Sequence, residues 1–411
     1  MAVDAVAAEA LIARAQARGW PAGLAERALA VRTPRAHLEG WLAAPADANG
    51  LFQIERTIEV FERLAGGPYR ARELTARDEE AFEALWADAP EKVGDWEVTV
   101  ERSPDALAQF RLQPGASISV VEAEGELVAC TAWSPANCLV GGKPCSIHYA
   151  QGLRVRAGRR REGLGDLVRR FPSRALQNPT VGQIMYMRIG NAGMAGFLEA
   201  VKFQAQGERP QKVVGAVHLA ARAAPAAPRG MRPVAEADLG RCTELINRAH
   251  AGLDLFAPLG AESLRSRLDG GVWGEGPPWR RRVYGWPDFL VIEARGRIVA
   301  CGGLWDRGRD MREVWRSKEG EVRRVEVAAA LDLGCEAGRE DVLADLLRHF
   351  ASRAAALGRQ SLIADLEHLP KIVERLADLD PRVESRTLEW SPFLPGLPLT
   401  LGDCHLDLRY W

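Results

Sequence analysis

Residues 153–171, LRVRAGRRREGLGDLVRRF, change their period half-way along. Leu153 and Val155 alternate with Arg154 and Arg156 as in a strand, whereas Leu164, Leu167, Val168 and Phe171 recur at the three-and-four spacing of a helix face. The turn between them, Arg160-Arg161-Glu162-Gly163-Leu164-Gly165, sets two glycines where the helix begins. The first N–H groups of a helix have no partner inside it, and a glycine puts no Cβ in the way of an approaching anion. A phosphate there would satisfy those donors and gain about 0.3–1 kcal/mol from the positive end of the helix. Residues 154–174 hold eight arginines against Glu162 and Asp166. Pro172 must end or kink the helix, which would aim Arg169, Arg170 and Arg174 away from the turn.

This basicity is local, because the formal net charge of the 411-residue chain is -1. Nucleic acid is therefore not an expected partner: the arginines bracket a glycine turn, and neither an RNA-binding aromatic motif nor a basic tail is present. A hydrophobic content of 47% with 27% charged residues suits folded domains with full cores, two or three at this length. No apolar run approaches the ~20 residues of a membrane span, and the first residues carry acids where a leader would be basic. No membrane association and a cytoplasmic location follow as expectations. Seven scattered cysteines with no C-x-x-C pair read as small buried hydrophobes rather than a disulfide framework or metal site.

Short helices are expected over 4–18, 21–30 and 35–43, and a longer one over 51–64 with Ile54, Ile58, Phe61 and Leu64 on one face. Residues 1–66 thus form an N-terminal helical segment, read as a cap or dimerisation element. From Tyr69 the order becomes strand, helix, strand, strand, strand, helix, strand, helix, strand. The strands fall at 117–122, 127–133, 145–155, 182–189 and 212–220, with a helix over 191–200. AAPAAPRG, 223–230, is a linker by composition. Beyond it the pattern restarts. VEAEGELVACTAW (121–133) has a near-copy in IEARGRIVACGGLW (292–305), and Arg72 with Asp78 recurs as Arg232 with Asp238. Units of 67–222 and 231–411 follow, the second closing on an alternating strand over 404–411.

Val155 followed by Arg160-x-x-Gly163-x-Gly165, in this order of elements, resembles the GNAT superfamily of acyl-CoA-dependent N-acyltransferases. The likeness covers about 68–222, and a degenerate copy covers 231–411. The tandem arrangement is similar to that of mycothiol synthases and N-myristoyltransferases. It implies an α/β (α+β) fold of two tandem mixed-sheet domains, with acetyl-CoA or another acyl-CoA as cofactor and a small-molecule or peptide amine as acceptor. By the resemblance, Leu153 and Val155 would bond the pantetheine arm. Arg160, Arg161, Glu162, Gly163, Leu164, Gly165 and Asp166 would form the pyrophosphate cradle, Arg159 or Arg161 would reach the 3′-phosphate, and Asn191 would lie near the acyl end. The strand position where some members place a base holds Tyr149, with His148 beside it. Neighbouring strand residues face opposite ways, so one of the two would enter the cleft, Tyr149 being preferred. The C-terminal carboxylate of Trp411 is a further candidate base.

Two departures leave the general acid unassigned: Leu198 stands where the family commonly has tyrosine, and Lys202 where a glycine precedes Phe203. The second turn, residues 333–341, lacks the paired glycines and places Glu336, Glu340 and Asp341 where phosphate oxygens would sit. Repulsion between unit charges 4 Å apart is about 4 kcal/mol at an effective dielectric of 20. The second unit is therefore expected to shape the acceptor pocket rather than bind CoA. The insert 269–287, with Trp273, Trp279, Tyr284, Trp286 and Arg280 to Arg282, offers an acceptor-binding wall or a loop pinned by tryptophans. A silent acyl-CoA sensor is the alternative to an enzyme.

Overall fold

The computed structural model describes residues 5–30, 42, 48–103, 106, 107, 110, 113, 115–170, 182–191, 193, 211–223, 227–269, 284–392 and 401–409. Three helices open the chain: α1 (Ala5–Ala17), α2 (Leu24–Ala30) and α3 (Ala48–Gly66). Most of the helix expected over 35–43, most of the one over 191–200 and most of the 269–287 insert lie outside the described residues.

The first unit then lays down β1 (Tyr69–Glu73), α4 (Glu79–Asp88), β2 (Glu91–Val93), β3 (Trp96–Arg102), β4 (Ser117–Ala123), β5 (Glu126–Val140), β6 (Lys143–Val155), α5 (Leu164–Arg170), β7 (Gly182–Arg188) and β8 (Gln211–Ala220). The second contains β9 (Met231–Pro233), α6 (Leu239–Ala249), α7 (Ala261–Leu268), β10 (Phe289–Ala294), β11 (Arg297–Trp305), β12 (Met311–Ser317), β13 (Val322–Val325), β14 (Val327–Cys335), α8 (Glu340–Ala356), β15 (Ser361–Ala364) and β16 (Arg382–Pro392). Among the described residues, no helix is long and apolar enough to cross a membrane.

The repeat read in the sequence is repeated in atomic detail. Ala129 lies opposite Val155 and Cys130 opposite Arg154, and in the second unit Ala300 lies opposite Cys335 and Cys301 opposite Gly334. Each ladder then slips at a bulge, where Gly152 and Asp332 both take positive φ, +61° and +52°. Arg72 bonds Asp78 and Glu122 just as Arg232 bonds Asp238 and Glu293. In both units the parallel pair beside the bulge ends after four residues, at Ala150 opposite Met185 and at Ala330 opposite Ala364.

The two units do not close separately. Strand order in the main sheet is β1-β4-β5-β6-β7-β16-β8-β15-β14-β11-β10-β9. The last strand of the second unit, β16, is thus inserted between β7 and β8 of the first, while β8 pairs with β15 of the second. A smaller sheet, β13-β12-β3-β2, also crosses the units through β3 and β12. Helix α5 packs Leu164, Leu167 and Val168 against Val121, Val128 and Val60 of α3, and α8 packs Leu343, Leu346, Leu347 and Phe350 on the second unit's strands.

One expected element is different. Residues 404–409 form no strand, only a single bridge from Cys404 to Asp254, and the last strand of the described chain is β16. The alternation had a different cause: Leu406 and Leu408 are buried where this tail lies across the second unit, while Asp407 pairs with Arg409.

Reciprocal exchange makes each unit depend on the other for an interior strand. A chain ending at residue 223 is therefore expected to be unfolded or aggregated by circular dichroism and size-exclusion chromatography, and to become soluble on co-expression with residues 227–411. A monomeric, folded first unit would contradict the exchange.

Candidate functional site

Where β6 and β7 part company after Ala150 and Met185, a cleft opens between them. Gln151 to Arg154 form one wall and Tyr186 to Arg188 with Asn191 the other, and Arg307, Met311, Glu313 and Arg386 of the second unit close it. Six guanidinium groups, those of Arg102, Arg154, Arg169, Arg188, Arg307 and Arg386, line this space against the carboxylates of Glu91 and Glu313.

Several of these charges hold one another. Arg154 Nη2 donates to Glu91 Oε1 at 2.6 Å, and Arg188 Nε donates to Glu91 Oε2 at 3.1 Å while its Nη2 donates to Glu313. The Trp86 ring is sandwiched between Arg154 and Arg102, whose guanidinium carbons lie 4.1 and 4.0 Å from its centroid. Burial alone would raise the Glu91 carboxyl, but the charges of Arg154 and Arg188 outweigh it and bring it from 4.5 to about 2. Burial lowers Arg102 to about 9, with Arg154 adding repulsion. Burial also lowers Arg307 to about 10, against the pull of Glu313. The cleft therefore carries an excess of positive charge, and its two carboxylates are held as ion-pair partners rather than as proton acceptors.

The residues singled out in the sequence divide. Leu153 and Asn191 line the cleft. Val155 lies on the same strand, opposite Ala129. His148 is 1% and Tyr149 2% exposed, and neither lines the cleft. His148 meets Trp133 edge-on, and Tyr149 stacks on Tyr186 with ring centroids 5.8 Å apart. Tyr186 is the ring that lines the cleft, and burial keeps its phenol protonated. Trp411, Leu198 and Lys202 lie outside the described residues. The described tail stops at Arg409, whose carbonyl accepts from Gln113 Nε2 at 3.2 Å, and Gln113 also bonds Gln151 of the cleft wall.

At the glycine turn, Gly163 has φ +78°, and a Cβ built there would stand 2.6 Å from Arg63 Nη1. Arg63 comes from α3 and donates to the Glu162 carbonyl. Arg56, seven residues earlier on the same helix, reaches Asp166 Oδ2 at 3.5 Å. Helix α3 thus lies over this turn, and the seven-residue spacing of Arg56 and Arg63 puts both arginines on one face of it. Arg159 is occupied by Glu124 and Glu162, and Asp166 by Arg56 and Arg169. Arg160 and Arg161 are exposed and make no ion pair with a described residue. Leu164 and Gly165 are buried, so any contact with a ligand there is through backbone N–H groups.

The same places in the second unit are filled from within. Gly338 N–H donates to Glu340 Oε1 at 3.3 Å, so the protein's own carboxylate takes a donor of the turn, and Glu336 is held by Arg241 and Arg297. Asp332, at the bulge position of Gly152, binds Arg267 and Tyr284, and residues 405–409 lie over the ends of β14 and β15.

This duplicated, strand-exchanged sheet has counterparts of known structure. The chain carries the GNAT fold twice. Saccharomyces cerevisiae N-myristoyltransferase with bound myristoyl-CoA superposes with a TM-score of 0.55 at 12% identity, over 83% of each chain. A GCN5-related N-acetyltransferase from Sphaerobacter thermophilus matches with a TM-score of 0.50 at 17% identity, over 81% of this chain and 98% of that one. The glucosamine N-acetyltransferase region of a fungal multi-domain GH3 beta-N-acetylglucosaminidase matches 78% of this chain at 10% identity. No family model and no curated protein matches the sequence. Among the described residues, a cleft separates β6 from β7 past Ala150 and Met185, whereas residues 405–409 lie over the splayed pair β14 and β15.

Removing Arg188 would take one cation from each of Glu91, Glu313 and Glu384 in the interior, leaving them Arg154, Arg386 and His218. Arg188→Leu is expected to lose about 3–5 kcal/mol of unfolding free energy in urea titrations. Glu91 adds a pH dependence of known sign. Its folded value lies below its unfolded one, so its contribution, up to about 3 kcal/mol, is complete above pH 4.5 and disappears as the pH falls toward 2. Glu91→Gln should flatten that acid limb of the stability curve, and an unchanged limb would show that the ion pairs do not form.

Proposed function

We propose that the chain is an acyl-CoA-dependent N-acyltransferase, using acetyl-CoA, whose amine acceptor carries an anionic group and binds between the two units. The observation that carries this reading is the asymmetry of the repeat. Among the described residues, one copy of the splayed strand pair borders a cleft beside a glycine turn overlain by Arg63, and the other is plugged by its own side chains and tail. The structural neighbours crystallised with myristoyl-CoA support an acyl-CoA as the ligand of the open copy.

Transfer requires an amine nitrogen to attack the thioester carbonyl, forming C–N and breaking C–S, with a proton leaving the amine and one reaching the thiolate. In this reading β6, left without a parallel partner after Ala150, offers its edge at Leu153 and Val155 to the pantetheine arm. The backbone of 163–166 with Arg63, Arg160 and Arg161 holds the pyrophosphate. An amine of pKa ~10.4 is largely protonated at pH 7 and must lose its proton before attack. Glu91 and Glu313 are engaged by arginines and His148 and Tyr149 are enclosed, so of the expected bases this reading retains the carboxylate of Trp411.

The arginine excess separates acceptor classes. A polyamine or aminoglycoside-like amine would meet repulsion, whereas a carboxylate-bearing amine, such as an amino acid or peptide, would be paired. Thiol release from acetyl-CoA is expected with carboxylate-bearing amines and not with polyamines. Tight CoA binding without release for any amine would favour the sensor reading. Gly163→Val with Gly165→Val should abolish CoA binding, and Arg63→Ala should weaken it roughly tenfold, as loss of a charge-assisted bond does. Unchanged CoA affinity in both would place the cradle elsewhere.

A further inference from the structure

A second polar cluster lies away from the cleft, where three distant segments meet. His250 caps α6, Asp365 and His368 follow β15, and His405 belongs to the tail. All sit in or beside an apolar shell that includes Phe256, whose ring stacks on His250 at 4.9 Å. We propose that these residues form a site for one zinc-like divalent cation, with His250, His368 and Asp365 as ligands and His405 orienting the Asp365 carboxylate.

Geometry carries the proposal. Donor atoms of His250, Asp365 and His368 all lie within 4.8 Å of one another. His405 Nδ1 is 2.8 Å from Asp365 Oδ2, and His368 Nδ1 is 3.7 Å from Asp365 Oδ1. Ligands 2.0–2.1 Å from a tetrahedral zinc are about 3.3 Å apart, and two such imidazoles have ring centroids about 5 Å apart. The rings of His250 and His368 are 5.1 Å apart, and those of His250 and His405 4.6 Å.

The hydrogen bonds agree with ligation. His250 Nδ1 lies 3.0 Å from the Ile246 carbonyl, which can only accept, so the proton is on Nδ1 and Nε2 keeps its lone pair. That is the arrangement by which a backbone carbonyl orients a metal-binding histidine. The Leu406 N–H bonds Asp365 Oδ2 at 2.9 Å and orients the carboxylate in the same way. His368 supplies the independent sign: its side chain is only 9% exposed, yet neither ring nitrogen has a hydrogen-bond partner. An imidazole so buried forgoes two bonds unless something else occupies a nitrogen.

Such an ion would staple the tail to the second unit and hold Arg409 against Gln113 at the wall of the open cleft. The test is metal analysis of the purified full chain together with thermal unfolding. The expected result is about one zinc per chain, a fall in Tm on chelation, and tetrahedral cobalt bands when the stripped protein is given Co²⁺. His368→Ala and, as a milder change on the tail, His405→Gln should each lose metal affinity roughly tenfold or more, and chelator should no longer shift their Tm. A wild-type chain without metal, giving no cobalt bands and no chelator effect, would mean that water and hydrogen bonds fill the cluster. Metal content unchanged in both variants would put the ion elsewhere; either result overturns the proposal.

Discussion

Eight consecutive residue pairs join β8 to β16, from His218 opposite Arg382 to Gln211 opposite Glu389, and this seam governs what the molecule can be. Each of the two strands is an interior strand only because the other unit supplies its far neighbour, β15 for β8 and β7 for β16. A strand edge left open would expose a row of unpaired N–H and C=O groups, so the exchange ties both cores into one cooperative sheet. The seam also sets the position of the charged groups. Arg386 lies opposite Arg188 across the β7–β16 ladder, which brings Glu313, Glu384 and Arg307 of the second unit to the mouth of the first unit's cleft.

Among the described residues, the two copies of the splayed strand pair differ first at the bulge. The bulge needs a residue with positive φ. In the first unit glycine meets that need and leaves the backbone bare, whereas in the second Asp332 meets it with a side chain that then recruits Arg267 and Tyr284. A carboxylate in a left-handed position is tolerable because its short polar chain is anchored locally. At the adjoining turn of the second unit Glu340 takes the Gly338 N–H, whereas the paired glycines of the first unit stand under Arg63.

The tail links both features. Residues 401–409 lie across the second unit's plugged cleft, pass the His250, Asp365, His368 and His405 cluster, and end the described chain at Gln113. Its hydrophobic alternation resembled a strand because Leu406 and Leu408 are buried and their neighbours are not, and docking across strand ends imposes the same period of two as a ladder does. Alternation reports which side chains are covered and is silent about what covers them.

Local chemistry was legible in the sequence. The strand, glycine turn and helix of 153–171, the near-copy at 292–305 and the paired Arg72–Asp78 and Arg232–Asp238 motifs all depend on neighbours within a few residues, so their periods and spacings carried the fold class and the best candidate for the cofactor turn. The base candidates His148 and Tyr149 were named from position in a strand, but which face a strand turns to the cleft depends on what packs on it, and both are enclosed. The strand exchange, the arginine-lined cleft, the Arg63 contact and the histidine cluster were decided by the tertiary structure alone. Each joins residues tens to hundreds of positions apart, and no local period encodes such a contact. Only the shared sheet brings those charges close enough to hold one another.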